Sequence, residues 1–423
     1  MSVHPVSRRR FLSQSLLAVG APMLIPAGVL AAHGKPGANE RITVGVIGIG
    51  GRANMLVDQL PAGAQVASVA DCELPRCEQA AKRRKAKWRM HQDYRKLLDE
   101  KDLDGVIVGT PDHARVLVCV RACQAGKDIY AEKPLSLYIA EGRVLVTAAR
   151  KYQRVFQVGT QQRSMETNRA ACEFIRNGGL GKIKVVLGVN YLPRPQRYTA
   201  LPEEAVPQGL NWDVWLGQTP LRTYNQKIHR GWMWFYDYSG MQMTNWGAHG
   251  LDQVQWALGM STTGPVEFWP IKPGPDGAVA FRYANGVEVR LEREKGPMGG
   301  AIFRGAKGNI EINRNKYTTN PHDLIPNPPS KEDVKKWEDS TAMWQARFHI
   351  QNWLDCIKTR QKPVADVEIG HRSVSVCHLA GITRALGRKL RWDPDQEQFV
   401  GDAEANALVA RPRRKGYELP DPV

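Results

Sequence analysis

Between residues 41 and 158 the apolar and polar positions fall into blocks whose period changes repeatedly. Residues 41–49 carry Ile42, Val44, Val46 and Ile47, apolar on both faces, as in a parallel strand buried between two layers. Met55, Leu56, Val57 and Leu60 then recur at helical spacing. The same reading predicts strands at 66–70, 105–109, 128–131 and 155–158, with helices at 116–125 and 139–152 between them. Such alternation implies an open parallel sheet with ligands at the carboxyl ends of its strands. The second half reads differently. Residues 266–268, 278–283, 287–292 and 300–312 look like antiparallel strands with turns such as Asn285-Gly286. Helices are expected at 343–359 and 369–386, with a proline-rich loop at 321–331. The expected class is α/β: a doubly wound N-terminal domain, then an α/β domain built on a large, mostly antiparallel open sheet.

The junction of the first strand and helix reads Gly48-Ile49-Gly50-Gly51-Arg52-Ala53, a G-x-G-x-x-A fingerprint for a dinucleotide. Gly48 permits the tight turn, and Gly50 lets the backbone approach a pyrophosphate at the helix N-terminus. Ile49, Gly51 and Arg52 join them as candidate cofactor contacts. The second strand ends in Asp71, where a carboxylate would bind the adenosine ribose and repel a 2′-phosphate, which favours NAD over NADP. Arg76 and the basic helix around it keep NADP as the second choice, and a plain helix cap remains the structural alternative for Asp71. Three polar clusters fall at strand ends on the same edge: Thr110-Pro111-Asp112-His113, Glu132-Lys133-Pro134, and Gly159-Thr160-Gln161-Gln162-Arg163. A Rossmann domain is thus placed at 40–160, a substrate and oligomerisation domain at 161–390 and a C-terminal arm at 391–423.

These clusters, in this order and spacing, make the chain resemble the Gfo/Idh/MocA (glucose–fructose oxidoreductase-like) family, and in particular its exported branch. The resemblance implies an NAD(P)-dependent oxidoreductase acting on CH–OH groups of a sugar or polyol. It places Lys133 beside the nicotinamide and the reacting carbon, and Thr110, Pro111, His113, Glu132 and Gln161 around the cofactor. The family's Asp-x-x-x-His signature corresponds here to Asn245-Trp246-Gly247-Ala248-His249. His249 fits the general base. Asn245 departs from the aspartate, because an amide orients a hydroxyl but takes no proton. Arg163, Trp234, Tyr236 and Asp252 are the candidate substrate contacts, the aromatic rings suiting the C–H face of a pyranose. Two other activities fit the same residues: a lyase or glycosidase that uses NAD transiently, and a non-catalytic nucleotide- or sugar-binding protein.

The N-terminus changes the picture of where this chemistry takes place. Ser7-Arg8-Arg9-Arg10-Phe11-Leu12 followed by an uncharged, moderately apolar stretch reads as a twin-arginine (Tat) signal over residues 1–32. Export by the Tat machinery to the periplasm or cell surface is expected, and with it a dinucleotide bound tightly enough to survive outside the cytoplasm. The formal net charge of +17 favours an acidic over a cationic substrate. No nucleic-acid motif, C-x-x-C pair or metal-ligand cluster is read, and no apolar run outside the signal is long enough to span a membrane. Seven cysteines, an odd number, predict no disulfide framework in a protein that folds before export. A homo-oligomer is expected.

Overall fold

The computed structural model describes residues 37, 40–193, 195, 201–337 and 345–420. Residues 1–41 form one unit and 42–423 another. In the first unit Glu40 closes a turn on Gly37, its backbone N–H donating to the Gly37 carbonyl at 3.0 Å. The signal read at 1–32 and the first two residues of the helix expected at 343–359 lie outside the described residues.

Six parallel strands open the second unit: β1 (Ile42–Ile47), β2 (Ala64–Ala70), β3 (Arg89–His91), β4 (Gly105–Val108), β5 (Asp128–Ala131) and β6 (Phe156–Val158). Their order is β3-β2-β1-β4-β5-β6, so the chain reverses direction across the sheet between β1 and β4. A crevice opens outside the carboxyl ends at such a switch point. β1, β4 and β5 are buried on nearly every residue, which is why their sequences are apolar runs without alternation. Helices Asp112–Gln124 and Ile139–Lys151 cover one face. Gly51–Asp58 and Leu74–Arg84 lie on the other.

The second sheet has nine strands: β7 (Ile183–Val189), β8 (Glu267–Pro270), β9 (Val279–Arg282), β10 (Glu288–Arg293), β11 (Ala301–Gly305), β12 (Asn309–Asn313), β13 (Lys316–Asn320), β14 (Leu390–Asp393) and β15 (Gln398–Phe399). They run in the order β13-β12-β11-β7-β10-β9-β8-β14-β15, antiparallel except for the pair β7 and β10. Helices Glu166–Arg176, Gly247–Ala257 and Val367–Leu386 pack on one face. The other face carries a ladder of ion pairs, Glu267–Arg282–Glu288–Arg290–Glu292, with each contact between 3.0 and 3.3 Å.

Three sequence expectations need correction. Residues 300–312 are two strands rather than one run, broken at Gly308, whose φ of +151° permits the turn. Residues 391–399 are not an extended arm, because β14 and β15 complete the second sheet. Helix Arg347–Thr359 lies in sequence between β13 and β14, within the stretch assigned to the second domain, yet buries Ile350, Trp353 and Leu354 against β1 and the core beside it. The indole of Trp353 is fully buried there and meets Tyr130 of β5 edge-on at 6.0 Å. Trp353→Ala should therefore destabilise the nucleotide-binding layer, by about 3–5 kcal/mol on the scale of buried aromatic truncations. Denaturant unfolding followed with a dinucleotide-fluorescence probe checks this, and an unchanged midpoint would place the helix outside that core.

Candidate active site

β1 delivers Gly48 at φ +80°, a conformation that L side chains rarely adopt, and a Cβ there would meet the Thr110 nitrogen at 2.8 Å. Only glycine lets β1 and the loop after β4 come this close. A Cβ at Gly51 would meet nothing within 4 Å, and helix Gly51–Asp58 has no side-chain cap. Its first N–H groups thus have no side-chain cap, and Gly50 and Gly51 line the cleft beside them, as a pyrophosphate site needs. Asp71 is oriented by two backbone donors, Ile49 N on Oδ2 and Glu73 N on Oδ1, both at 2.9 Å. Burial raises its pKa, and Arg76 opposes that rise. Arg76 itself is held by Glu73 at 2.5 Å, and Glu73 also binds Arg230 at 2.6 Å. With two carboxylates at this loop and its arginine engaged, the pocket suits a ribose diol better than a 2′-phosphate. These residues fit a bound NAD.

The nucleotide cleft is lined by Gly48, Gly50, Gly51, Asp71, Thr110 and Pro111. Its far wall is an unexpected element: residues 201–238, with short helices Trp212–Leu216 and Gln226–Arg230, form a cap with its own aromatic core. Trp212 stacks on Trp215 at 4.6 Å. The cap docks on the loop after β2, Leu74 N donating to the Gly209 carbonyl at 3.0 Å and Asn211 N to the Cys72 carbonyl at 2.8 Å. Trp215 and Trp232 face the cleft from this side.

A second, smaller pocket adjoins the first and shares Arg52, Thr110 and Trp232 with it. Here Lys133, Glu132, Gln161, Asn245 and His249 come together. Lys133 Nζ donates to Asn245 Oδ1 at 2.8 Å and to the Asn245 carbonyl at 3.0 Å. Burial brings its pKa down to about 8, with Glu132 and Asp112 opposing. His249 is 2% exposed, and its Nδ1 has no hydrogen-bond partner. Burial first, then the charges of Arg314, Lys133 and Arg52, hold its pKa well below the usual range. The imidazole is therefore neutral. Glu132 is bound by Arg52 at 2.9 Å.

Five of the sequence candidates sit elsewhere. His113 turns away from the cofactor: its Nε2 lies 2.7 Å from the Trp215 carbonyl, its ring packs on Tyr238 at 4.9 Å, and burial lowers its pKa to about 3. It anchors the cap. Arg163 and Asp252 face each other, with three nitrogen–oxygen contacts of 2.8–3.0 Å, and Ser373 adds a fourth hydrogen bond to the carboxylate at 2.7 Å. Both are buried and line neither pocket, so they are spent on joining helix Gly247–Ala257 to the end of β6. Tyr236 is 58% exposed and faces a separate apolar cavity with Tyr138, Met243 and Ile382. Trp234 is half-buried and borders neither pocket.

Sequence reasoning missed several pocket residues. Trp232 and Met233, not Trp234, reach the pocket, because the turn Trp232–Trp234 is a 3₁₀ helix that rotates successive side chains by a third of a circle. Asp112 stood inside a quoted motif and was passed over, and Arg115, one helical turn on, lines the same wall. Arg314, on the β12–β13 turn, stands outside the pocket wall but acts on Lys133 and His249 through its charge. It lies over the Trp246 ring at 4.8 Å, and burial lowers its pKa to about 10. No local sequence signal marks it. All seven cysteines are free, and among the described residues no metal-ligand cluster and no helix long and apolar enough to cross a membrane is present.

Two family models match the chain. Residues 42–160 match the Gfo/Idh/MocA oxidoreductase family's NAD-binding Rossmann fold, and residues 182–419 match its C-terminal alpha/beta domain. Inositol 2-dehydrogenase of Salmonella typhimurium is 26% identical over 173 residues, 40% of this chain and 50% of the enzyme. The match thus spans about half the length of that relative. Two solved structures share the fold at low identity. Aldose-aldose oxidoreductase from Caulobacter crescentus, complexed with glycerol, gives a TM-score of 0.59 at 15% identity, covering 83% of this chain and 99% of that one. The WlbA dehydrogenase from Bordetella pertussis, with NADH and UDP-GlcNAcA, gives 0.58 at 17%, covering 84% and 99%.

The Arg163–Asp252 pair yields a stability prediction. Asp252→Asn leaves a buried guanidinium without its counter-charge and should cost about 3–5 kcal/mol, the scale for breaking one partner of a buried pair. Thermal and denaturant unfolding measure it. A variant as stable as the wild type, with weakened substrate binding instead, would return Asp252 to the substrate site.

Proposed function

The chain belongs to the Gfo/Idh/MocA oxidoreductase family, and from that premise we propose that it moves hydride between a hydroxyl-bearing carbon of a sugar or polyol and a tightly held NAD. The observation that carries this reading is the pairing of Lys133, half-buried, and His249, buried, on one small pocket that opens into the nucleotide cleft. When bound, NAD supplies the hydride acceptor at C4 of its nicotinamide ring. Lys133, held by Asn245, presents a donor to the substrate oxygen. Its pKa of about 8 keeps both protonation states within reach near neutral pH. In oxidation the Lys133 amine takes the hydroxyl proton, while the neutral His249, with Nδ1 open, can accept a hydrogen bond from an adjoining substrate hydroxyl. Asn245 acts through its two oxygens as the holder of Lys133 rather than as a base. Trp232 and Met233 supply the apolar wall on which a sugar's C–H face can rest.

Lys133→Met and His249→Ala should each slow the hydride step by at least ~10²-fold while leaving dinucleotide binding intact. The pH dependence has a definite sign. Alcohol oxidation uses the Lys133 amine, so its rate should rise through pH about 8 and level off above it. Carbonyl reduction uses the ammonium, so its rate should fall over the same range. Stopped-flow absorbance of bound NADH reads both, and near-normal rates in the two variants would remove these residues from the chemistry.

We further propose that residues 1–32 direct Tat export and that the NAD therefore travels with the protein and is reset in place. The cap of residues 201–238 over the cleft supports such retention. After export, purification and long dialysis, the protein should still contain about one NAD(H) per chain and turn over sugar without added cofactor. A cofactor-free protein that works only with millimolar NAD, releasing NADH in step with product, would contradict this.

A further inference from the structure

Asp112 opens helix Asp112–Gln124 at the end of β4 and is 4% exposed. It lines the small pocket together with Lys133, Arg115, Ser239 and Asn245. The pocket has one other carboxylate, Glu132, and that is tied to Arg52 at 2.9 Å. Asp112 is not tied in this way. Its arginine neighbour, Arg115, approaches only to 3.4 Å, because the guanidinium is committed to the backbone carbonyls of Thr110 and Pro134. Arg115 thus clamps the loop after β4 to the loop carrying Lys133 and leaves the Asp112 charge directed at the pocket. Lys133, for its part, has only neutral oxygens in contact, both on Asn245.

We propose that Asp112 is the positioning carboxylate of this site, the counter-charge that steadies Lys133 in its ammonium form during proton transfer. The proposal rests on the hydride-transfer reading above. In the oxidation direction the substrate O–H bond breaks and its proton forms the third N–H bond of Lys133, as hydride leaves the carbon for the dinucleotide. The positive charge that then appears on Nζ is faced by Asp112, while Asn245 keeps the nitrogen in place. In reduction the same proton returns to the oxygen. The ionisable groups facing Lys133 are Glu132 and Asp112, which favour the ammonium, and Arg314 and Arg115, which oppose it. His249 stands beside them uncharged. Asp112 is itself opposed by desolvation and supported by Arg115, Lys133 and Ser239.

The test uses the full-length holoprotein carrying ¹³Cε-labelled lysine, with the Lys133 resonance assigned by its loss in Lys133→Arg. Asp112→Asn should move the Lys133 titration down by about one pH unit or more, the scale of losing a near counter-charge. The pH limb of sugar oxidation should move with it. Asn245→Asp added to Asp112→Asn should carry both back up, because it restores a carboxylate at Nζ. Asp112→Glu keeps the charge and should leave Lys133 near its wild-type titration, which decides the matter if Asp112→Asn does not fold. A Lys133 titration unmoved by Asp112→Asn, or moved equally by Asp112→Glu, overturns the proposal. If no sugar or polyol reduces the bound NAD, the hydride-transfer reading fails separately, and the NMR titration still decides what Asp112 does to Lys133.

Discussion

An ammonium partly withdrawn from water between two sheets must find oxygen atoms there, and Lys133 finds two on a single residue, at 2.8 and 3.0 Å. Burying such an ion costs several kcal/mol unless the geometry is good. Lys133 belongs to the first sheet's edge and Asn245 to the helical layer of the second, so the distance between two separately built layers has to be fixed to within tenths of an ångström. Helix Val367–Leu386 does much of this, packing against helix Ile139–Lys151 on one side and Gly247–Ala257 on the other. Arg143 adds a bridge to Glu368 and Glu397 at 2.8 and 2.7 Å, and Arg150 pairs with Asp366. These pairs are partly exposed and each is worth little alone. Their value lies in orientation, while the apolar burial beneath them holds the layers together.

With that spacing fixed, the electrostatics of the pocket follow. Lys133, Arg52 and Arg314 converge on His249, and their combined field with burial keeps its ring uncharged. The same field disfavours any further cation and favours negative charge developing on a substrate oxygen, which is what alcohol oxidation requires. Carboxylates are distributed to limit this field without cancelling it. Glu132 neutralises Arg52 directly, and Asp112 acts on Lys133 across the pocket. Along the nucleotide cleft the balance is reversed. Asp71 and Glu73 dominate, and Arg76 is consumed by Glu73, so the two ends of the cleft carry opposite electrostatic characters.

How much of this was legible in the sequence depends on whether a residue's role is set by its own strand end or by what packs on it. Gly48, Asp71 and Lys133 sit where buried parallel strands stop, and the apolar runs mark those stops directly. Five of the six strands are marked in the same way, but β3 is three residues long and largely exposed, so no apolar run announces it. His113 lies in an equally suggestive loop, yet it is one residue into a helix whose rotation carries it under the cap, where Trp215 and Tyr238 claim it. Arg163 and Asp252 are 89 positions apart, and nothing in either neighbourhood signals that they meet. β7 escaped notice because its first residues alternate around the exposed Lys184, and β13 because its burial is partial throughout. Arg314 depends wholly on the β12–β13 register, which only the assembled sheet specifies.

The cap of residues 201–238 brings these strands of argument together. Its inner wall, Val214, Trp215 and Trp232, is also the outer wall of the nucleotide cleft. On one side it is sewn to the ribose loop through Cys72, Glu73 and Leu74. On the other it is gripped by the C-terminal arm, where Tyr417 donates to Asp213 at 2.9 Å and Arg414 pairs with the same carboxylate and with the Gly217 carbonyl. The arm does not line the nucleotide cleft; it holds the element that forms the cleft's wall. It is anchored in turn by Arg413 on Glu141, a buried pair on helix Ile139–Lys151. Widening the cleft by moving this wall therefore requires parting either the ribose loop or the arm from the cap. Each contact is small, but they must be released together, and a wall fastened along both margins opens rarely even when no single bond in it is strong. Slow opening of this kind acts on the off-rate and leaves the contacts to the dinucleotide unchanged, so retention of a cofactor can be built far from the groups that recognise it.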